Sequence, residues 1–262
     1  QLAPALGIAI PVGKDSMSMR TDWRDDEGAH SVVSPMTLVA TGFCPVQDVR
    51  RTVVPEAAPG DAILFVDLAN GKQRLGGSAL LQVYRQLGEV PPDLDDPARV
   101  RGFWQAMQVL VRAGRLRGYH DRSDGGLIVA LCEIAFANRV GLRLDTSVLG
   151  GSVLAALGNE ELGAVLVVAP EQLAPVEAAF AAEGLAPAVH RIGIATEHTQ
   201  LQVTHAGALE LDASVLQLHS AWAEVSYRIA RLRDNPASAR QEWERKASPA
   251  YRGLFAQVDF AR

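Results

Sequence analysis

The sequence predicts an α+β fold, and three observations support this prediction. Short β-rich runs and helical apolar stripes occur together along the 262 residues, but they do not alternate as a regular βαβ series. Two strand-like runs meet at Ala206-Gly207, which predicts a hairpin late in the chain. The composition is 48% hydrophobic and 21% charged, so the chain can bury a core. We therefore expect a mixed sheet with packed helices.

Bulk properties exclude several classes of protein. The net charge of −5 argues against a nucleic-acid-binding face, and no apolar run approaches the roughly 20 residues of a membrane span. Two cysteines, Cys44 and Cys132, cannot build a disulfide framework, which favours a reducing, cytoplasmic location. The first residues contain neither an initiator methionine nor a leader, so we expect the chain to be a fragment of a longer protein.

The elements before residue 90 are predicted from apolar runs and turn formers. Residues 34–46 are β-rich and predict a buried strand, and the Pro- and Gly-rich residues 55–60 predict a linker. The apolar run 62–68 predicts a second buried strand. A glycine-rich turn follows, and residues 78–88 predict a helix that Gly88 ends.

Two helices are predicted in the middle of the chain. Asp96 followed by Pro97 forms a good cap for a helix that runs to about residue 113. A second helix is indicated by apolar side chains with the spacing of one buried helical face. Its apolar positions are Leu127, Ile128, Leu131, Ile134 and Ala135.

The C-terminal half continues the mixture of strands and helices. Pro175 lies near the first turn of a helix predicted over 171–184, where proline is tolerated. From residue 214 two helices are predicted, with a break at Asn235-Pro236. The strands predicted in this half are 142–145, 163–169, 188–195, 200–205 and 208–212.

The stretch "HDRSDGGL", residues 120–127, is the strongest candidate site. One interpretation is structural, with Ser123 or Asp124 as an ordinary N-cap and Asp121 solvated. The other is a nucleotide site, because free backbone N–H groups and the helix dipole favour phosphate at a helix start. Asp121 could then hold Mg²⁺, and Gly125 and Gly126 would admit a ligand close to the backbone. The residues alone leave both interpretations open.

Other motifs are weaker. The segment around "PVGKDS" is not a Walker loop, because five residues separate Gly7 from Gly13 and Asp15 replaces the required Ser or Thr. The acids of "NEELG", residues 159–163, are predicted to form a solvated turn. His219 is predicted to pack rather than to bind a metal.

Several of these stretches together resemble one known family. "PVGKDSMSM", "SPMTLVATGF", "HDRSDGGLIVALCEIAFANRVGL", "NEELGAVLVV" and "RLRDNPASARQEWE", in that order, resemble the large form of phosphoribosylformylglycinamidine synthase. The resemblance implies an ATP-dependent C–N ligase of purine biosynthesis that uses glutamine as amido donor. Its product is formylglycinamidine ribonucleotide. The family enzyme has two halves, each similar to aminoimidazole ribonucleotide synthetase, followed by a glutaminase domain.

The resemblance also implies a domain organisation. Residues 1–57 would end an N-terminal-like α/β subdomain of the second half, and 58–212 would form its C-terminal-like α+β subdomain. Residues 213–262 would be a helical linker toward the glutaminase. The partners would then be the first half and the glutaminase domain of the same polypeptide, with small-molecule substrates.

Site residues carried over from the family concern an auxiliary, structural nucleotide. The resemblance implies Asp121 as a Mg²⁺ ligand and Ser123, Gly125 and Gly126 as contacts of ATP or ADP, with the other metal ligands before residue 1. It implies no catalytic residue here. A further segment, Lys14, Asp15 and Ser16, would face the substrate or an interface between halves.

The sequence is also compatible with two other roles for this segment. The segment could instead be a non-catalytic scaffold, or part of a related ATP-dependent kinase or synthetase. The chain alone is expected to be inactive and to bind nucleotide weakly or not at all. Apolar residues 6–12 and 34–46 would lack sheet partners, so residues 1–50 are expected to be poorly ordered or to self-associate.

Overall fold

The computed structural model describes residues 2–14, 19–34, 37–251 and 253. The chain divides into two compact units, Gln1–Arg50 and Arg51–Arg262. The domain boundaries expected after residues 57 and 212 stay a prediction.

In the described part of the first unit, a short helix is followed by a hairpin. Helix α1 covers Leu2–Leu6, and strands β1 (Arg20–Asp25) and β2 (Gly28–Val33) pair antiparallel. The strand predicted over 34–46 is wrong for residues 37–46, which have no regular structure and are exposed; Pro35 and Met36 lie outside the described residues. An apolar β-rich run becomes a strand only where a neighbouring strand takes up its hydrogen bonds. No described residue pairs with 37–46 in a sheet.

The second unit is built on one mixed sheet, which confirms the predicted α+β class. Its strand order is β4-β6-β3-β7-β5-β8-β9, and every neighbouring pair is antiparallel except the parallel pair β5–β8. The strands are β3 (Ala62–Asp67), β4 (Gly118–Asp121), β5 (Gly141–Asp145), β6 (Gly163–Val168), β7 (Val189–Thr196), β8 (Gln200–His205) and β9 (Ala208–Ser214).

Helices cover this sheet on both faces. The helices are α2 (Ala79–Val83), α3 (Pro97–Arg112), α4 (Gly126–Asn138), α5 (Val153–Gly158), α6 (Leu173–Ala182), α7 (Val215–Arg233) and α8 (Pro236–Ala247). Helices α3 and α6 pack on one face, whereas α4, α5 and the start of α7 pack on the other. None of the described helices is both long and apolar enough to cross a membrane.

Strand β3 shows why the central strands are apolar along their whole length. Ile63 and Phe65 point into the core beneath α4, and Leu64 and Val66 point into the core beneath α3 and α6. All six residues of the strand are buried. A strand buried on both faces reads as a continuous hydrophobic run, as the sequence of 62–68 does.

Side chains predicted as helix caps make the expected hydrogen bonds. Asp96 accepts a hydrogen bond from the Ala98 N–H at 2.9 Å at the start of α3. Asn235 accepts from two backbone N–H groups at the start of α8. Helix α2 is shorter than predicted, because Arg85 takes a left-handed φ of 55° that a continuing α-helix excludes.

The two C-terminal helices form a hairpin held by aromatic contacts. Tyr227 and Trp243 stack with ring centroids 4.8 Å apart, and the Trp243 indole N–H donates to the Ser220 carbonyl at 2.9 Å. His219 stacks on Phe136 of α4 at 4.7 Å, which confirms its predicted packing role. Partial burial, with a smaller contribution from Lys246 and Arg139, lowers the pKa of His219 and so favours the neutral ring.

The two cysteines differ in environment, and this difference predicts their reactivity. Cys132 is buried in α4, and burial raises the pKa of its thiol to about 12, whereas Cys44 is exposed. Because the thiolate is the reactive form, we expect one thiol to react with a disulfide reagent at pH 8 in the folded protein and two in denaturant. A Cys44→Ser variant should show none when folded. Rapid labelling of that variant would contradict the burial of Cys132.

Candidate functional site around the start of helix α4

The backbone at the start of α4 has an unusual conformation. Gly125 is the N-cap with φ 85°, and Gly126 follows with φ 73°. A helix start near Gly125 is therefore confirmed. The interpretation of Ser123 or Asp124 as the cap is wrong, because Gly125 is the N-cap and the side chain that bonds its N–H belongs to Glu160. Only glycine enters two consecutive left-handed positions at low cost, and this moves the cap to Gly125.

A carboxylate from elsewhere in the chain takes the place of a local cap. One Glu160 carboxylate oxygen accepts from the Gly125 N–H and from the Ala79 N–H, both at 2.8 Å. Ala79 is the first residue of α2, so the same carboxylate lies at the start of two helices. The positive ends of both helix dipoles favour a negative charge at this point. Glu160 thereby joins the β4–α4 loop to the glycine-rich segment before α2.

The "NEELG" motif is not the solvated turn that the sequence predicts. Asn159 and Glu161 are buried, with Glu161 0% exposed. Arg74 donates to Glu161 through Nε at 2.5 Å, Nη2 at 2.8 Å and its backbone N–H at 3.2 Å. Glu161 in turn raises the pKa of Arg74 further above its usual range. Glu161 and Arg74 therefore form a buried hub, although the two residues are distant in sequence.

Asp121 and Ser123 both lie at the exposed end of the β4–α4 loop. Asp121 is the last residue of β4, and its carboxylate accepts a hydrogen bond from the Tyr119 hydroxyl. Burial, reinforced by Asp121, raises the pKa of Tyr119, so the phenol stays a donor. His120 is held between the Glu133 carboxylate at 2.8 Å and the Asp121 carbonyl at 2.7 Å. The loop thus presents one oriented carboxylate and one hydroxyl to solvent.

Arg122 lies between these two residues but is directed into the protein. It is 6% exposed and donates to the carbonyls of Glu161 at 2.5 Å and Leu162 at 3.0 Å. Its guanidinium also lies over the Phe65 ring, 4.8 Å from the centroid. Burial lowers the pKa of Arg122 to about 10, against the opposing effect of Asp67 and Glu161, so the group stays charged at neutral pH.

The glycines differ in what surrounds them. A Cβ added to Gly126 would lie 2.6 Å from the Leu157 carbonyl oxygen and 2.7 Å from that of Asn159. Gly126 is therefore required by the chain's own backbone. At Gly125 an added Cβ would meet the Val129 side chain. At Gly126 the space next to the backbone is occupied by the end of α5 and the residue that follows it.

The remaining predicted site residues lie in the first unit. Lys14 is exposed and follows a stretch without regular structure. Asp15 and Ser16 lie outside the described residues. Sequence patterns do not indicate that Glu160 bonds the start of α4 or that Arg74 pairs with Glu161, because each contact joins segments far apart in the chain.

The described residues do not form a complete metal site. Among them, no group of three or more His, Cys, Asp or Glu side chains is placed to hold a metal ion. Mg²⁺ commonly keeps several waters and binds one or two carboxylates together with phosphate oxygens. The exposed Asp121 carboxylate fits that chemistry as one ligand, with its orientation set by Tyr119.

Two segments of the chain match known protein families. Residues 58–206 match the family described as AIR synthase related protein, C-terminal domain. The chain belongs to this family. Residues 1–45 match a second family, the FGAR-AT PurM_N-like domain. The two matches, in this order, confirm the resemblance to phosphoribosylformylglycinamidine synthase that the sequence motifs predict.

Solved structures from Thermotoga maritima share the fold. PurL complexed with FGAR matches with a TM-score of 0.57 and 14% identity, over 83% of this chain and 35% of that chain. Phosphoribosylformylglycinamidine synthase II matches with a TM-score of 0.56 and 15% identity, over 83% and 34%. PurL complexed with ATP matches with a TM-score of 0.52 and 15% identity, over 72% and 28%. The chain therefore spans about a third of the length of these proteins.

Proposed function

We propose that this chain is part of an ATP-dependent ligase of purine biosynthesis. The reaction converts formylglycinamide ribonucleotide, glutamine and ATP to formylglycinamidine ribonucleotide, ADP, phosphate and glutamate. The observation that carries the proposal is the succession of the FGAR-AT PurM_N-like and AIR-synthase-related matches on one chain. Complexes of T. maritima PurL with ATP and with FGAR agree with this reaction class. The chain spans about a third of those proteins, which supports the proposal that the activity would need further domains.

Within that ligase, the β4–α4 loop would hold an auxiliary Mg²⁺-nucleotide. Asp121 would be a metal ligand, and Ser123 would donate to a phosphate oxygen. Mg²⁺, when bound, would offset the negative charge of the phosphates beside the carboxylate. The Gly125 N–H already bonds Glu160, so Gly125 and Gly126 would shape the phosphate-facing turn. Exposure of Asp121 and Ser123 supports this arrangement.

A scaffold role is the second candidate. The buried hub of Arg74 and Glu161 and the double cap by Glu160 are structural features, and they favour a module whose nucleotide stabilises the assembly. A related kinase or synthetase of the same superfamily is the third candidate. The FGAR-AT match over residues 1–45 favours the ligase over this last candidate.

Replacing Asp121 with asparagine tests the nucleotide site. In the proposed ligase that contains this chain, Asp121→Asn should weaken Mg²⁺-ADP binding at least about tenfold, because the substitution removes an anionic ligand of the metal. Calorimetric titration and the nucleotide content after gel filtration measure the effect. Asp124→Asn is the matched control, since it removes the same charge from an exposed neighbour and should leave binding unchanged. Equal affinity in both variants would count against a metal role for Asp121.

The Asp121→Asn variant also distinguishes a catalytic nucleotide from a structural one. If the nucleotide is structural, Asp121→Asn should lower the melting temperature while the ammonia-dependent rate of folded protein is retained. If the nucleotide takes part in the reaction, the ammonia-dependent rate should fall in proportion to the loss of bound nucleotide. The melting temperature should then stay unchanged. Steady-state kinetics and thermal unfolding of one preparation distinguish these results.

The isolated chain is expected to be inactive. Neither glutamine nor ammonia should yield formylglycinamidine ribonucleotide, because the resemblance places the reacting groups in other domains. The measurement is product formation by the purified chain against a mock preparation. Turnover above the mock would refute the assignment of this segment to the non-catalytic half.

A further inference from the structure

A cavity beside the buried end of β3 is lined by several cationic groups. Its volume is about 200 Å³, and it lies among the β3–α2 segment, α3, the Arg122 side chain and β7. The polar groups that matter to its chemistry are those of Asp67, Lys72, Gln73, Arg99, Arg122 and His190. The cavity therefore combines a lysine, two arginines and a histidine with one carboxylate.

The carboxylate is engaged by the chain's own backbone. Asp67 accepts from the N–H groups of Ala69 at 3.0 Å and Gly71 at 2.5 Å, and its nearest contact to Arg122 is 3.7 Å. Lys72 pairs with Asp95 at 2.8 Å. Asp67 and Glu161 both offset the charge of Arg122, whereas no ion pair joins Arg99 to a carboxylate of the described residues.

Arg99 has unused hydrogen-bonding capacity. Its Nη2 donates to the Asp67 carbonyl at 3.0 Å, which fixes the side chain at the cavity. Its Nε is buried, and no described residue accepts a hydrogen bond from it. A buried donor without an acceptor is unfavourable, and most native examples are completed by a ligand or water.

Arg122, which also lines the cavity, is held by two backbone carbonyls. Its Nε and Nη2 donate to the Glu161 and Leu162 carbonyls. Gln73 is likewise fixed, since its amide donates to the Leu149 carbonyl at 2.9 Å. Ordered donors need little rearrangement to bind an acceptor.

We propose that this cavity binds the phosphate group of a small phosphorylated ligand. Guanidinium groups match phosphate oxygens in both geometry and charge, and two arginines line this cavity. The volume admits a phosphate group but is smaller than the roughly 300–1,000 Å³ typical of sites that enclose a whole small molecule. The rest of the ligand would therefore remain outside. The proposal is independent of the nucleotide site at Asp121.

Titration of inorganic phosphate into the full chain tests the proposal. EDTA in the buffer removes divalent cations, so that a metal-dependent site cannot bind phosphate. Chloride keeps the ionic strength constant. We expect saturable one-to-one binding by calorimetry. Arg99→Met should weaken it at least about tenfold, because a charge-assisted hydrogen bond is lost. Arg101→Met is the matched control, since it removes the same charge from an exposed site on α3 and should change the affinity less than about twofold.

Two results would overturn the proposal. One is the absence of saturable binding by the unmodified chain, and the other is equal affinity of Arg99→Met and the Arg101→Met control. Circular dichroism checks that each variant is folded. If Arg99→Met does not fold, Arg99→Lys takes its place, because it keeps the charge and removes the planar guanidinium. An unchanged affinity in Arg99→Lys would then refute the guanidinium–phosphate contact.

Discussion

Replacing Glu161 with glutamine is expected to destabilise the protein by about 3–5 kcal/mol. The carboxylate is 0% exposed and accepts three hydrogen bonds from Arg74, and its charge also offsets that of buried Arg122. Glutamine keeps the shape but removes the charge, so both guanidinium groups lose their buried counter-ion. Urea unfolding followed by circular dichroism measures the free energy of unfolding.

A matched control and a double-mutant cycle sharpen this test. Glu171→Gln removes the same charge from an exposed site and should change stability by less than about 0.5 kcal/mol. In an Arg74→Met background, Glu161→Gln should cost less than in the unmodified protein, with a coupling energy of about 0.5–3 kcal/mol. Additive effects of the two substitutions would show that the pair does not stabilise the fold.

Gly126→Ala is expected to cost about 2–5 kcal/mol, the sum of two separate effects. The left-handed φ of 73° contributes about 1–2 kcal/mol for a residue with a Cβ. Contact with the carbonyl oxygens of Leu157 and Asn159, which are backbone atoms, contributes about 1–3 kcal/mol more. The free energy of unfolding in urea again measures the change.

Gly184→Ala separates the two effects. Gly184 has a φ of 71°, close to that of Gly126, but nothing lies within 4 Å of an added Cβ. It should therefore show only the conformational cost, about 1–2 kcal/mol. If both glycine variants were destabilised equally, the loop before β6 would not be packed against the start of α4 as described.

Much of the fold could be predicted because local patterns report burial and backbone conformation. The apolar run 62–68 predicted β3, and the alternation of its side chains between two cores explains the run. Asp96-Pro97 and Asn235-Pro236 predicted two helix starts, since a cap bonds N–H groups two or three residues away. Strand β4 was not predicted, because four residues at a sheet edge carry too little pattern.

The strand expected over 34–46 shows the limit of such patterns. The residues have the composition of a buried strand, but residues 37–46 are exposed and irregular. Composition gives a preference, whereas a strand also needs a neighbour that supplies hydrogen bonds. The expectation that residues 1–50 self-associate or lack order stays a prediction.

The sequence by itself determined the α+β class, the helix that begins at Gly126 and the family resemblance. These depend on residues close together in the chain, whose spacing is preserved whatever the rest of the molecule does. Only the tertiary structure decided that Glu161 is buried against Arg74, that Glu160 caps two helices and that Arg99 and Arg122 line one cavity. Charged residues look solvated in sequence, because their burial depends on partners that folding brings from distant segments.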